Sequence, residues 1–165
     1  VTAKVSNTDP YNATPDRIIE MMRDADYLTG KYQALGDISF EVVRQEATDD
    51  GVILEVKRTV AANLPDIAKQ VLGETNEMIQ RETWTKSGSG YSGDIDIESP
   101  GKPVHISADA RISPSGEGSS YTVNFAIKAS VPLVGGKVEK MVAEETMGST
   151  KKEYTYNAEW LAKNG

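Results

Sequence analysis

The chain has 165 residues, with 18 Lys and Arg against 25 Asp and Glu, a formal charge of −7. Hydrophobic residues make up 38% and charged residues 26%, the balance of a folded globular chain rather than a disordered one. There is no Cys, which excludes disulfides, thiolate nucleophiles and cysteine-ligated metals. The acidic balance argues against nucleic acid as a partner, because phosphate backbones are held by cationic surfaces. The length predicts one domain over 1–165. No apolar run approaches the ~20 residues that span a bilayer, so no integral membrane segment is expected. No basic segment leads into an apolar h-region at the start, which predicts a cytoplasmic chain.

Residues 1–7 read as a short first strand. Thr14-Pro15-Asp16 is a helix start: Thr as N-cap, Pro at the first helical position, Asp in the first turn. Ile18, Ile19, Met22 and Ala25 follow at helical spacing, and a second short helix over 25–35 ends at Gly36. The period then changes from about 3.6 to 2. Ile38, Phe40 and Val42 alternate with polar neighbours, and Asp49-Asp50-Gly51 turns the chain into Val52, Leu54 and Val56. A brief helix over 64–72 interrupts. Strands follow over 76–85, around Tyr91, Ile95 and Ile97, from Val104 to Ile112, and from Tyr121 to Ala129. Clean alternation predicts an antiparallel sheet with one wet face and one apolar face that needs a cover. The segment from Lys137 to about Ala162, free of Pro, supplies it as one long helix.

Projected at ~100° per residue, one face of that helix carries Val138, Met141, Val142, Ser149, Tyr156 and Trp160. Its ends are bulky and apolar. Its middle, with Glu145, Gly148, Ser149, Lys152 and Glu153, is small or polar. A helix sealing a dry core keeps its stripe throughout, so the gap predicts either space beneath the helix or a solvated outward bulge.

Along this order of elements stand Leu64-Pro65-Asp66, Arg81-Glu82-Thr83-Trp84, Gly101-Lys102-Pro103-Val104, the run Val131-Pro132-Leu133-Val134-Gly135-Gly136-Lys137-Val138-Glu139, and Trp160-Leu161. With these residues the chain resembles the helix-grip fold of the START and Bet v 1-like superfamily, the polyketide cyclase and lipid-transport group. It is similar above all to a bacterial branch known only as a domain of unknown function, number 2505. The resemblance spans essentially the whole chain. It implies a hydrophobic cavity between sheet and last helix, and it brings no catalytic residues.

Few motifs carry chemistry. Gly88-Ser89-Gly90-Tyr91-Ser92-Gly93 spells G-x-G-x-x-G, but a strand follows where a dinucleotide site needs a helix. Asp94, Asp96 and Glu98 share one strand face with no loop to wrap a cation, so no metal is expected. His105, the only histidine, falls on the wet face with no visible partner. Asn12-Ala13-Thr14 matches a glycosylation acceptor, yet Thr14 serves better as a helix cap. Of the five methionines, Met141 is best placed to line a cavity.

One polar constellation stands out. If the apolar residues of each strand point inward, so do Arg44, Arg58, Gln80 and Glu82, facing Glu145, Ser149 and Glu153 of the helix. Arg58–Glu82 and Arg44–Glu153 pairs are then conceivable, because buried charges need partners; the alternative is that the strand ends splay and these side chains reach water.

The expected fold is therefore α+β: a helix-grip domain with about seven strands in a curved antiparallel sheet, two short helices and a long C-terminal helix. The expected function is binding or transport of a hydrophobic small molecule (lipid, fatty acyl or polyketide-like), with no cofactor. Its walls would be Phe40, Leu54, Trp84, Ile95, Ile106, Ala108, Val123, Phe125, Met141, Val142 and Tyr156, and its polar contacts Arg58, Glu82 and Ser149. Two other readings stay open: a cyclase or dehydratase using the Glu82 or Glu153 carboxylate, and a regulatory module with a collapsed interior. No oligomeric state is legible.

Overall fold

The computed structural model describes residues 2–165. Val1, the first residue of the expected opening strand, lies outside the described residues. Strand β1 runs Ala3–Tyr11, longer than expected at its far end. Helix α1 (Pro15–Met22) is capped by Thr14, whose hydroxyl accepts from the Arg17 amide at 3.2 Å, and buries Ile18, Ile19, Met21 and Met22. Asp24 caps α2 (Ala25–Ala34) in the same way, through the Tyr27 amide at 3.0 Å. Gly36, at φ +82, then turns the chain out of the helix, a conformation that favours glycine.

Six strands follow: β2 (Ser39–Ala47), β3 (Gly51–Ala61), β4 (Thr75–Ser87), β5 (Gly90–Glu98), β6 (Val104–Ser115) and β7 (Gly118–Ala129), with α3 (Asp66–Leu72) between β3 and β4. They make one seven-stranded antiparallel sheet in the order β1-β7-β6-β5-β4-β3-β2. Chain order is spatial order from β2 to β7: short turns join most of these strands, and the longer β3–β4 connection, which carries α3, also returns to an antiparallel neighbour. Gly88-Ser89 forms the β4–β5 turn, so the G-x-G-x-x-G stretch belongs to a hairpin. Helix α4 (Gly135–Asn164) lies against the sheet.

The wet face is an ion-pair surface. Arg81 reaches Glu55, Asp96 and Glu98 at 3.5, 3.9 and 3.7 Å. His105 is not alone there: its Nε2 lies 2.7 Å from Asp96. Among the described residues, no group of three or more His, Asp or Glu is placed to hold a metal ion. No helix of the described residues is long and apolar enough to cross a membrane.

Two details differ from the expected phases. A β-bulge at Val43 shifts the β2–β3 register between Val42 and Arg44. One extra residue exchanges the two faces of the strand. Arg44 therefore turns outward and pairs with Glu46 at 2.7 Å, while Gln45 turns inward and donates to the Met22 and Asp24 carbonyls. Ile38 precedes the strand and is exposed.

Helix α4 is rotated by roughly 80° from the face that the apolar residues alone suggest. Its buried residues include Val138, Glu139, Val142, Ala143, Asn157 and Leu161. Two of these are polar and hydrogen-bonded inside, although Glu139 Oε1 has no partner among the described residues. Glu139 accepts from the Ala129 amide at 2.9 Å, fastening the start of α4 to the end of β7. Asn157 accepts from the Tyr27 hydroxyl at 2.6 Å and donates to the Tyr11 hydroxyl at 3.2 Å.

The core has two clusters. One gathers α1, α2 and the C-terminal end of α4 over Val52, Leu54, Val56 and Trp84. The other gathers Leu72 of α3 and Val138, Val142 and Ala143 of α4 over Val104, Ile106 and Ile127.

Candidate functional site

Between these clusters, under the middle of α4, lies a cavity of about 510 Å³ walled by members of both. That volume suits a small organic molecule; such sites run from about 300 to 1,000 Å³. The sheet contributes an apolar floor: Ile95 and Ile97 of β5, Ile106 of β6, and Val123 and Phe125 of β7. Strand alternation brings these side chains to one face, and antiparallel pairing sets them in rows, Ile97 opposite Ile106 and Ala108 between Ile95 and Phe125. Helix α4 forms the roof with Val142, Glu145, Thr146, Gly148, Ser149, Thr150 and Glu153. Thr146 and Thr150 use their hydroxyls on the helix itself, donating to the Val142 and Thr146 carbonyls at 2.8 Å each.

One end of the cavity is polar and fully organised. Arg58 makes a two-point contact with Asp37, Nε to Oδ2 at 2.7 Å and Nη2 to Oδ1 at 2.8 Å, and donates through Nη1 to Gln80 Oε1 at 3.0 Å. Gln80 Nε2 donates to Glu82 Oε2 at 2.8 Å, and Trp84 Nε1 donates to Glu82 Oε1 at 3.0 Å. Five residues thus form one chain of hydrogen bonds in which each charged group has a partner. Beside it, Lys31 Nζ lies 2.7 Å from Glu153 Oε1 and over the ring of Tyr32 at 5.3 Å.

The titration behaviour follows from this arrangement. Burial is the largest single influence on Lys31 and would lower its pKa, but Glu153, Tyr27, Tyr32 and Glu82 together outweigh it and hold the ammonium well above its ordinary value. Arg58 follows the same logic, burial being outweighed by Asp37, Tyr32 and Glu153 together. Burial pushes the Tyr32 phenol up to about 12 and Tyr121 well above its ordinary value, so both remain hydroxyl groups at neutral pH.

Eight of the residues singled out from the sequence line the cavity: Arg58, Glu82, Ile95, Ile106, Val123, Phe125, Val142 and Ser149. Six do not. Leu54 and Trp84 are almost fully buried in the cluster under α1 and α2. Phe40 packs on Tyr32 at 5.6 Å between ring centres. Ala108 carries only a methyl group, overtopped by Ile95 and Phe125 on either side. Rotation of α4 takes Met141 off the inward face, and it carries Tyr156 onto α2, where the hydroxyl donates to the Tyr27 carbonyl at 3.0 Å. The paired charges also differ from those expected: Arg58 takes Asp37 rather than Glu82, and Glu153 takes Lys31 rather than Arg44.

Lys31, Tyr32, Asp37 and Asn76 line the cavity without having been singled out. A signal for Lys31 exists: with Tyr27, Leu28 and Tyr32 it falls on the buried stripe of α2, where a lysine needs a reason. Asp37 sits in a turn that offers no periodicity to read.

A curved antiparallel sheet clasping one long C-terminal helix, with two short helices after the first strand, is the helix-grip architecture of START and Bet v 1-like proteins. A START superfamily protein from Mycobacterium smegmatis has this fold, matching with a TM-score of 0.63 at 16% identity over 96% of this chain and 98% of its own. So does the Zhui aromatase/cyclase from Streptomyces sp. R1128, with a TM-score of 0.65 at 14% identity over 96% of this chain and 92% of its own. Residues 6–161 match the model of the family DUF2505, described as a protein of unknown function, and the chain belongs to that family. A relative of the same length class, the uncharacterized protein Rv0481c of Mycobacterium tuberculosis, is 23% identical over 93% of this chain and 94% of its own.

Proposed function

We propose that this chain, acting as one helix-grip domain over residues 1–165 in the cytoplasm, binds or carries a hydrophobic small molecule in the cavity beneath α4. The observation that carries the reading is the cavity itself: about 510 Å³ with an apolar floor and a polar group at one end. Transfer of ligand hydrocarbon from water onto Ile95, Ile106, Val123 and Phe125 supplies the driving force, at ~25 cal/mol per Å² of apolar surface buried. The polar end fixes orientation, the usual division of labour in small-molecule pockets.

The structural similarity to an aromatase/cyclase raises a second reading, in which a cavity carboxylate performs acid–base chemistry. That chemistry requires a carboxylate whose proton is free to move. Glu82 accepts two N–H groups and Glu153 holds Lys31, which favours binding over catalysis.

Native mass spectrometry of the protein purified from its own host tests the proposal. An apolar adduct of one fixed mass, released on unfolding, is the expected result. A chain that is consistently empty, and that takes up no apolar probe, contradicts it.

A further inference from the structure

The charges on the cavity wall do not balance. Among the described residues, five carboxylates and three cations line it, a formal excess of two negative charges. Arg58 is paired with Asp37, and Lys31 with Glu153. Three carboxylates and one cation are left over. Glu145 and Lys152 are exposed on α4, where water and salt screen both. Glu82 and Asp9 lie further in. Glu82 is 5% exposed, and its two oxygens accept neutral N–H groups, from Gln80 and Trp84. Asp9, half-buried on β1, accepts from Asn7 Nδ2 at 2.7 Å and has no cation partner among the described residues.

A carboxylate withdrawn from water without a counter-charge is costly, and native proteins pair such groups. Lys31 senses Glu82 as well as Glu153, so one ammonium is shared between two carboxylates. The surface beside them is aromatic. Tyr11 packs on Tyr121 and Tyr154, with 5.8 and 5.1 Å between ring centres, and Tyr121 packs on Trp84 at 5.5 Å. Asp9 stands opposite Tyr121 in the β1–β7 register, and Trp84 donates to Glu82, so the rings run from one carboxylate to the other. Tyr121 lines the cavity and keeps part of its surface exposed. Ring faces attract cations.

We propose that the cavity takes an organic cation with an apolar body, a protonated amine or a quaternary ammonium, its charge held among Glu82, Asp9 and the tyrosine rings. This rests on the carrier reading above and specifies its ligand. Attraction to Glu82 does not require contact, because a charge in a water-poor cavity acts over several ångströms. An alkylamine keeps its proton at neutral pH, as the lysine side chain does with a pKa of about 10.4. A carboxylate has only Lys152 to turn to, at an exposed position where water competes for it.

Isothermal titration of the full chain with decylammonium, decanol and decanoate, which share one ten-carbon body, tests this. Decylammonium is expected to bind one per chain, about tenfold more tightly than decanol and more tightly still than decanoate. Asp9→Asn and Glu82→Gln, both nearly isosteric, should each cut the preference for decylammonium over decanol by about threefold or more. The half-buried Asp9 keeps that test open if Glu82→Gln does not fold. Val142→Phe, which fills the cavity, should weaken decylammonium by about tenfold. Binding that survives Val142→Phe is adsorption to the acidic surface and overturns the proposal. So does decanol or decanoate binding as tightly as decylammonium; decanoate that is then lost in Lys152→Gln shows a cavity of the opposite preference. If none of the three binds, the proposal fails: uptake of the neutral dye Nile red in that case leaves the carrier reading standing, and its failure removes both.

Discussion

Lys31 Nζ lies 2.7 Å from Glu153 Oε1, one ion pair joining α2 to α4 where both line the cavity. The partners are unequally placed: the Lys31 side chain is 4% exposed and that of Glu153 is 30% exposed. Removing the carboxylate strands a buried ammonium, whereas removing the ammonium leaves a carboxylate that water can reach. Glu153→Gln should therefore cost about 2–3 kcal/mol, and Lys31→Met no more than about 1 kcal/mol. Urea unfolding of both variants measures the difference, and equal losses would show that burial does not govern this pair.

The Arg58–Asp37 pair is more deeply placed, with side chains 9% and 0% exposed. Arg58→Met leaves Asp37 buried without its cation and frees Gln80 from its donor. A loss of about 3–5 kcal/mol is expected. Asp37→Asn in the Arg58→Met background should recover part of that loss, because it removes the stranded charge. A double variant no more stable than the single one would contradict the assignment.

Gly93 faces the Trp84 indole across the β4–β5 pair, and a Cβ there would stand 2.7–2.8 Å from three ring carbons. Gly93→Ala must push the indole aside and disturb its hydrogen bond to Glu82. Overpacking of this kind costs about 1–3 kcal/mol. Thermal unfolding gives the loss, and a change in Trp fluorescence should accompany it.

The buried phenols set the alkaline limit of the fold. Burial holds Tyr27 and Tyr121 well above 10.0 and pushes Tyr32 to about 12. Lys31 is held well above 10.5, burial being outweighed by Glu153 together with Tyr27, Tyr32 and Glu82. For groups whose folded pKa is raised, the stability is fully present below the unfolded value and is lost as pH climbs through the folded one. Urea midpoints should thus be flat near neutrality and fall steeply above pH 10. Tyrosine absorbance should show these phenols ionising only as the chain unfolds.

Most of the fold is legible in the sequence because it is written in short-range periods. The alternation from Val104 to Ile112 and from Tyr121 to Ala129 specifies β6 and β7 directly, and Thr14-Pro15 marks the start of α1. The apolar floor of the cavity follows from the same alternation. The failures share one physical origin. Hydropathy treats a polar residue as outward, but Glu139, Asn157 and Lys31 point inward with partners more than a turn of chain away. Reading α4 by its apolar residues alone therefore misplaces its inward face. The bulge at Val43 adds a residue without any mark in composition, so Arg44 and Gln45 exchange faces unannounced.

The claim on which the rest depends is that the space beneath α4 takes up an apolar molecule. Nile red titration of the native chain, beside variants that fill the space from opposite walls, Val123→Phe and Val142→Phe, tests it most directly. The account predicts saturable one-to-one binding by the native chain and at least about tenfold weaker binding by each folded variant. Binding that does not saturate, or that is the same in all three proteins, would contradict it.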